Sequence, residues 1–249
     1  MYRPTHKITF ILLFACFFGT IKAEGQYFSF HHLNTSNGLS ENNVQSVTID
    51  KKGFLWIGTV DGLNVYDGYS ITTYKKETQR AIPSNNIIHM TCDNRNRIWL
   101  GTYEGVAWID ENRIFHRVIL NDSVSKFVCR TIQDTKVYGP VLYTSLGQYF
   151  FNEEKQKWER LGWIPQQIKY ERFHDAEPFD ENQIIYATDS LVMILDYAQR
   201  KVVYEQPFTA VFSLCKASDH ELAIGLQHGV VEIADINTKK NKQAIPDHQ

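Results

Sequence analysis

Cysteine, net charge and long hydrophobic runs are all scarce in this sequence of 249 residues, and each scarcity excludes a class of protein. Four cysteines are too few for a small disulfide scaffold. A formal net charge of −2 does not provide the basic surface that nucleic-acid binding needs, so we expect no nucleic-acid partner. With 43% hydrophobic and 22% charged residues, the composition excludes a disordered tail and a multi-span membrane protein, and it supports a buried core.

The one long apolar run lies at the N-terminus. Arg3 and Lys7 flank its start, the run occupies 8–18, and Ala23 follows shortly after it. This order is typical of a secretory signal peptide, so we predict that 1–23 is removed by cleavage near Ala23. The run is too short to span a hydrocarbon layer of about 30 Å. We therefore expect an exported, periplasmic protein with no membrane span, and the alternative is a lipoprotein attached through Cys16.

An internal repeat organises the rest of the sequence. Residues 43–67 and 86–110 align with a constant offset of 43 residues, and both contain the run Trp-(Ile/Leu)-Gly-Thr. Three weaker copies follow, and the residues that close the five copies are Asp67, Asp110, Asn152, Asp196 and Asp235. A period near 42 residues built from short strands is typical of β-propeller blades.

Each copy predicts a four-stranded antiparallel blade, so the fold class is an all-β propeller with about five blades. In the first copy the strands are predicted at 43–49, 54–58, 63–66 and 71–74, and Gly53 permits the positive φ of the first turn. The predicted blades are approximately 40–80, 83–121, 124–162, 170–206 and 208–245, all within a propeller domain at 24–249. The segment 239–243 is too polar for a convincing outer strand, so 27–33 is predicted to close the ring. The five blades then form either a small closed ring or the front of an incomplete seven-bladed ring.

The pattern at 43–67 and 86–110 resembles the two-component regulator propeller repeat. The lead-in at 33–40 is similar to the start of the periplasmic sensor region of hybrid two-component regulators, which are typical of Bacteroidetes. The resemblance implies a sensor that recognises an oligosaccharide and signals through a histidine kinase. Family members carry more blades, a membrane helix and that kinase, so the resemblance implies that this chain is a truncated sensor with no enzyme activity of its own.

The ligand-binding candidates lie where a propeller usually presents its loops. The entry to each inner strand and the turn between the second and third strands are predicted on one face of the ring. The candidates on that face are Asn43, Asp61, Tyr103, Glu104 and His228. Their amide and carboxylate groups can hydrogen-bond sugar hydroxyls, and the Tyr103 ring offers an apolar surface. Asn43 and Thr59 recur as Asn86 and Thr102, so turn capping is the competing explanation for these repeated residues.

Catalytic and metal-binding motifs are lacking. The sequence has no Gly-x-Ser-x-Gly motif, no phosphate loop and no histidine pair with metal-ligand spacing, so we expect no cofactor and no metal. His174 with Asp175 and Glu177 can be read as an acid–base cluster, but a structural role in a loop is favoured. Cys92, Cys129 and Cys215 are expected to pack in the core.

Three functional hypotheses remain. The first is a non-enzymatic sensor propeller with an oligosaccharide ligand, and a homodimer or a sensor partner is compatible with it. The second is a stand-alone exported propeller that binds other proteins. The third is a propeller enzyme acting on polysaccharide, which requires that acidic or histidine side chains such as Glu104 and His228 converge on one face.

Overall fold

Five four-stranded antiparallel sheets follow one another along the chain, each built from four consecutive strands. A computed structural model describes residues 31–120, 126–164 and 173–245. Within these ranges there is no α-helix, and the only helical elements are two 3-10 turns, Thr35–Asn37 and Gln227–Gly229. The predicted all-β propeller architecture with five blades is confirmed.

The strands of each blade run from the innermost to the outermost in chain order. The first blade contains β1 (Val44–Ile49), β2 (Leu55–Thr59), β3 (Gly62–Tyr66) and β4 (Ile71–Tyr74). The second contains β5 (Ile87–Cys92), β6 (Ile98–Thr102), β7 (Gly105–Ile109) and β8 (Phe115–Arg117). The third contains β9 (Cys129–Thr135), β10 (Gly139–Thr144), β11 (Gly147–Asn152) and β12 (Lys157–Arg160).

The last two blades repeat this order. The fourth contains β13 (Phe173–Pro178), β14 (Gln183–Thr188), β15 (Leu191–Asp196) and β16 (Lys201–Pro207). The fifth contains β17 (Val211–Lys216), β18 (Glu221–Leu226), β19 (Val231–Asp235) and β20 (Asn241–Ile245). All these strands belong to one compact unit, Leu33–Gln249.

The fifth blade differs from the sequence prediction at its outer edge. β20 pairs antiparallel with β19, so the polar segment after Asp235 completes the blade. The prediction that this segment is too polar for a strand was wrong, because an outermost strand lies at the solvent-exposed rim, where the backbone ladder can hold Lys242 and Gln243. Of the predicted closing strand at 27–33, residues 27–30 lie outside the described residues, and residues 31–33 are not in a strand.

The repeated Asp and Trp of the motif form one buried unit in each of the first two blades. Asp50 follows β1, and its carboxylate accepts hydrogen bonds from two backbone N–H groups of the turn and from Trp56 Nε1 at 3.0 Å. Asp93 does the same in the second blade, with Trp99 Nε1 at 2.8 Å. A buried carboxylate needs such donors to offset its lost hydration, which explains why the motif contains both residue types.

The hydrophobic core lies between neighbouring blades. Trp56 and Leu63 of the first blade pack with Met90 and Leu100 of the second, and similar clusters join each later pair of blades. The inner strands contact one another in the order β1, β5, β9, β13, β17. Among the residues that the structure describes, no comparable contact joins β17 back to β1. The five described blades therefore form an arc.

The predicted core positions of the cysteines hold only in part. Cys129 is buried, Cys92 is partly buried, and Cys215 is exposed on β17. The prediction for Cys215 was wrong because its side chain lies on the side of the fifth blade that has no following blade. A side chain in a strand of this protein is buried only where a neighbouring sheet packs against it.

The membrane and targeting predictions concern the N-terminal part of the chain. The predicted signal peptide at 1–23 lies outside the described residues. Across 31–120, 126–164 and 173–245, no helix combines the length and hydrophobicity that a transmembrane span requires.

Candidate ligand-binding face

One side of the arc carries the turns between the second and third strands of every blade. We call this side the loop face and define it by the turns at 60–61, 103–104, 145–146, 189–190 and 227–230. The inner strands begin on the same side, because Val44 at the start of β1 pairs with Thr59 at the end of β2. The structure places all five sequence candidates, Asn43, Asp61, Tyr103, Glu104 and His228, on this face.

Turn capping explains the repeated threonines of the loop face. Thr59 Oγ1 accepts a hydrogen bond from the backbone N–H of Asp61 and donates one to the carbonyl of Gly62. Thr102 makes the same two bonds in the second blade, and Thr144 makes them in the third. These hydroxyls are therefore used to shape the turns.

The repeated asparagines do not share one capping bond. The Asn43 side chain is exposed, and its Oδ1 accepts a hydrogen bond from Gln45 Nε2 at 3.1 Å. Asn86, at the equivalent position, has a buried Oδ1 without a hydrogen-bond partner. The capping explanation is thus correct for the threonines and wrong for the two asparagine side chains.

Asp61 lies in a polar cluster between the first and second blades. Lys75 Nζ is 2.6 Å from Asp61 Oδ2, and Asn85 Nδ2 is 3.3 Å from Asp61 Oδ1. The same Asn85 amide donates to Glu77 at 3.2 Å. These groups surround a shallow depression of about 540 Å³, lined by Asp61, Thr73, Lys75, Glu77, Thr78 and Asn85. The depression offers amide, carboxylate and ammonium groups to a polar ligand.

Glu104 lies between two lysines. Lys126 Nζ is 2.7 Å from one carboxylate oxygen, and Lys76 Nζ is 2.8 Å from the other. Hydrogen bonds from Lys126 and Lys76 lower the pKa of Glu104 to about 2. A general acid in glycoside cleavage needs a raised pKa, so this carboxylate is poorly suited to that role. Tyr103, next to it, is 51% exposed, with its ring open to a ligand.

Asp61 and Glu104 form one polar strip with their lysines, because Asp61 binds Lys75 and Glu104 binds the adjacent Lys76. Tyr103 does not line the depression, and His228 belongs to the 3-10 turn of the fifth blade. The structure therefore brings the Asp61 and Glu104 groups together and leaves His228 apart.

Sequence reasoning missed Lys75, Lys76 and Lys126, which lie in the connections between blades. Each connection runs from an outermost strand back to the next inner strand, so it returns to the loop face. Because the connections return to the loop face, their lysines could have been identified from the sequence as candidates. The candidates were instead taken from the entries to the inner strands and from the turns within blades.

His174 and Asp175, considered together with Glu177 as an acid–base cluster, bind different partners. His174, Asp175 and Glu177 lie in β13 and not in a loop. His174 Nε2 contacts Asp189, whereas Asp175 Oδ2 accepts the backbone N–H of Leu214 in the next blade at 3.2 Å. Burial raises the pKa of Asp175 and of Glu177. Within the described ranges, no group of three or more His, Cys, Asp or Glu side chains is placed to hold a metal ion.

The fold and this face define a β-propeller with a polar loop face, and family comparison refines that class. A model of the two-component regulator propeller repeat matches residues 38–61 and 81–104. The chain therefore contains two-component regulator propeller repeats in its first two blades, which confirms the resemblance seen in the sequence.

Similar proteins include a histidine kinase and an extracellular domain. Histidine kinase P4 of Formosa agariphila is 35% identical over 69 residues, which cover 28% of this chain and 5% of the kinase. The extracellular domain of a hybrid two-component system of B. thetaiotaomicron superimposes with a TM-score of 0.69 at 22% identity, covering 85% of this chain and 31% of that domain.

A solved enzyme shares only the fold. The virginiamycin B lyase of Staphylococcus aureus superimposes with a TM-score of 0.57 at 12% identity, covering 82% of this chain and 71% of the lyase. At this level of identity the similarity shows a propeller and carries no argument about activity. This chain spans about a third of that extracellular domain and a twentieth of the kinase that it matches.

Proposed function

We propose that this chain is the front part of a periplasmic ligand-sensing propeller of a two-component system. The observation that carries the proposal is the pair of regulator propeller repeats, because the loop-face turns of these repeats contain Asp61 and Glu104 of the polar strip. Signalling would then require a kinase part outside these 249 residues. No catalytic step is proposed for the chain itself.

We place the ligand at the first and second blades and infer that it is an oligosaccharide. Sugar rings present many hydroxyls and one apolar side, so they need fixed polar groups beside an aromatic surface. Asp61 and Asn85 supply the polar groups at the depression, and Tyr103 supplies an exposed ring on the next turn. Lys75 orients the Asp61 carboxylate, and Lys76 and Lys126 orient the Glu104 carboxylate, so both carboxylates can accept hydrogen bonds from hydroxyls.

The test is ligand-dependent thermal stabilisation of the purified protein with a panel of oligosaccharides. A ligand that binds only the folded state at 100 times its Kd adds about 2.7 kcal/mol, which raises the melting temperature measurably. We expect Tyr103→Ala and Asp61→Asn each to lower the apparent affinity at least tenfold. The melting temperature then rises less at the same ligand concentration. An absence of any shift across a broad panel would contradict oligosaccharide recognition.

A matched control separates ligand contact from general loss of ion pairs. Glu159 on β12 also lies near two lysines, Lys155 at 2.9 Å and Lys157 at 3.6 Å, but it is not on the loop face. We expect Glu104→Gln to weaken ligand binding and Glu159→Gln to leave it unchanged. Equal loss in both variants would show that the loop face is not the site.

A further inference from the structure

The inner strand of every blade contains one β-bulge, always next to its loop-face end. Gln45 is the bulged residue of β1, because the pairing with β2 shifts between Val44 and Ser46. The pairing of β5, β9, β13 and β17 shifts at the same place. A bulged residue has no partner on the neighbouring strand, so its side chain can leave the alternation of the strand. The five bulged residues are Gln45, Ile88, Arg130, His174 and Phe212.

The bulged side chains are not used to pack one blade against the next. In β9, Cys129 and Thr131 are buried, whereas Arg130 between them is exposed. In β5, Ile87 is buried and Ile88 is only partly buried. The second and third blades pack against a blade on each side, so the directions left open to these side chains are the loop face and the axis around which the inner strands lie. We call the five bulged residues the axial rim.

The axial rim has a constant backbone and a different side chain in every blade. Turn positions with a structural role keep their residue type, as Thr59, Thr102 and Thr144 do. The rim positions instead carry an amide, an aliphatic chain, a guanidinium, an imidazole and an aromatic ring. The bulge therefore does not require a particular side chain. Bulges that re-aim side chains are frequent beside functional sites, so this variety fits a surface that recognises a ligand.

The axial rim adjoins the polar strip of the loop face. Lys126, which binds Glu104 in the strip, is four residues before Arg130, so their Cα atoms are at most about 14 Å apart. At the first blade, Gln45 Nε2 donates a hydrogen bond to Oδ1 of the candidate residue Asn43 at 3.1 Å. A ligand that lies on the strip can therefore reach the rim as well.

Arg130 differs from the lysines of the strip because its charge is not paired. Lys75, Lys76 and Lys126 each contact a carboxylate of the strip. No hydrogen bond or ion pair joins the Arg130 guanidinium to another residue in the described part of the chain. An exposed guanidinium offers a planar set of donors that fits the two oxygens of an anionic group. Binding such a group at Arg130 would break no existing ion pair.

We propose that the ligand site extends from the polar strip to the axial rim, where Arg130 binds a carboxylate or a sulfate ester of an acidic oligosaccharide. This inference rests on the proposed function, because it names the class of oligosaccharide that the loop face takes. Asp61 and Tyr103 contact the hydroxyls and the apolar side of the sugar, and these features are common to neutral and acidic sugars. Arg130 adds the selection for negative charge.

The experiment is calorimetric titration of the purified chain with two sets of acidic tetrasaccharides. One set carries uronic acids and the other carries sulfate esters, and each probe is paired with its uncharged counterpart, made by carboxyl reduction or by desulfation. We expect an acidic probe to bind the native protein about tenfold more tightly than its uncharged counterpart, since hydrogen bonds to charged groups are strong. Arg130→Gln is expected to remove this preference and to leave the affinity for the uncharged probe unchanged.

Arg95→Gln is the matched control, because Arg95 is an exposed arginine in the turn between β5 and β6, on the side opposite the loop face. We expect it to keep the full preference for the acidic probe. An equal loss of preference in both variants would show a general charge effect and overturn the inference. Uncharged probes that bind as tightly as acidic ones would overturn it as well and leave the proposed function standing. If no probe of either kind binds, both the inference and the proposed function fall.

Discussion

The first and second blades have nearly the same sequence pattern and very different surroundings. Both carry the buried Asp–Trp unit, the Thr-capped turn and the same strand register. Yet the inner strand of the second blade is packed on both sides, while that of the first is open on one. The repeated motif thus determines the turns and strand register of a blade, whereas the neighbouring blade determines which of its side chains are buried.

The largest expected effect tests what the two blades share. Asp93→Ala leaves the buried Trp99 Nε1 and two part-buried backbone N–H groups without an acceptor and removes the ion pair with Arg97, so we expect a loss of roughly 3–5 kcal/mol in the free energy of unfolding. Urea unfolding measures it. Asp110→Ala is the control, because Asp110 accepts similar turn hydrogen bonds at a more exposed site and is expected to cost about 1 kcal/mol. Equal losses would show that burial of the Asp–Trp unit contributes nothing.

The next effect tests where the blades differ. Met90→Ala removes a fully packed side chain and is expected to cost about 2–4 kcal/mol, whereas Val47→Ala at the equivalent position is expected to cost less than about 0.5 kcal/mol. Both values come from urea unfolding at a dilution where the protein has the mass of one chain. A cost above 2 kcal/mol for Val47→Ala would mean that the exposed side of β1 is covered in solution.

The smallest effect concerns pH and a histidine that the first blade lacks. His89 holds the position of Ser46, its Nδ1 is buried without a hydrogen-bond partner, and desolvation lowers its pKa to about 4. The unfolded chain, with a histidine pKa near 6.5, therefore binds more protons than the folded chain between pH 6.5 and 4. The contribution of neutral His89 to the free energy of unfolding is fully present above pH 6.5. It is lost as the pH drops towards 4, and the loss is ~1–3 kcal/mol.

The measurement is the difference between the native protein and His89→Gln in urea unfolding from pH 7.5 to 4. The difference isolates His89 from Asp175 and Glu177, whose raised pKa values act in the opposite direction. We expect the native protein to lose more stability than the variant across this range. Parallel curves would show that His89 is hydrated in the folded state.

Much of the fold could be predicted because it is local and repeated. The offset of 43 residues identified the strands of the first two blades to within a residue or two, since turn glycines and alternating apolar residues act over short distances. β20 was missed because this rim strand opens with three polar residues, Asn-Lys-Gln, and so lacks the apolar alternation that marks β4. The three lysines of the loop face were missed because they lie in the connections between blades, outside the strands and turns that the repeat predicts.

The sequence by itself determined the blade: its four strands, the Asp–Trp unit and the side on which the turns lie, because these depend on contacts within about 25 residues. The tertiary structure alone decided that Val47 and Cys215 are exposed, that Glu104 is held by two lysines, and that Asp175 binds the next blade. Those features depend on which sheet lies beside a given strand. The motif is nearly the same in the first two blades, so it cannot encode which of them has a neighbour on both sides.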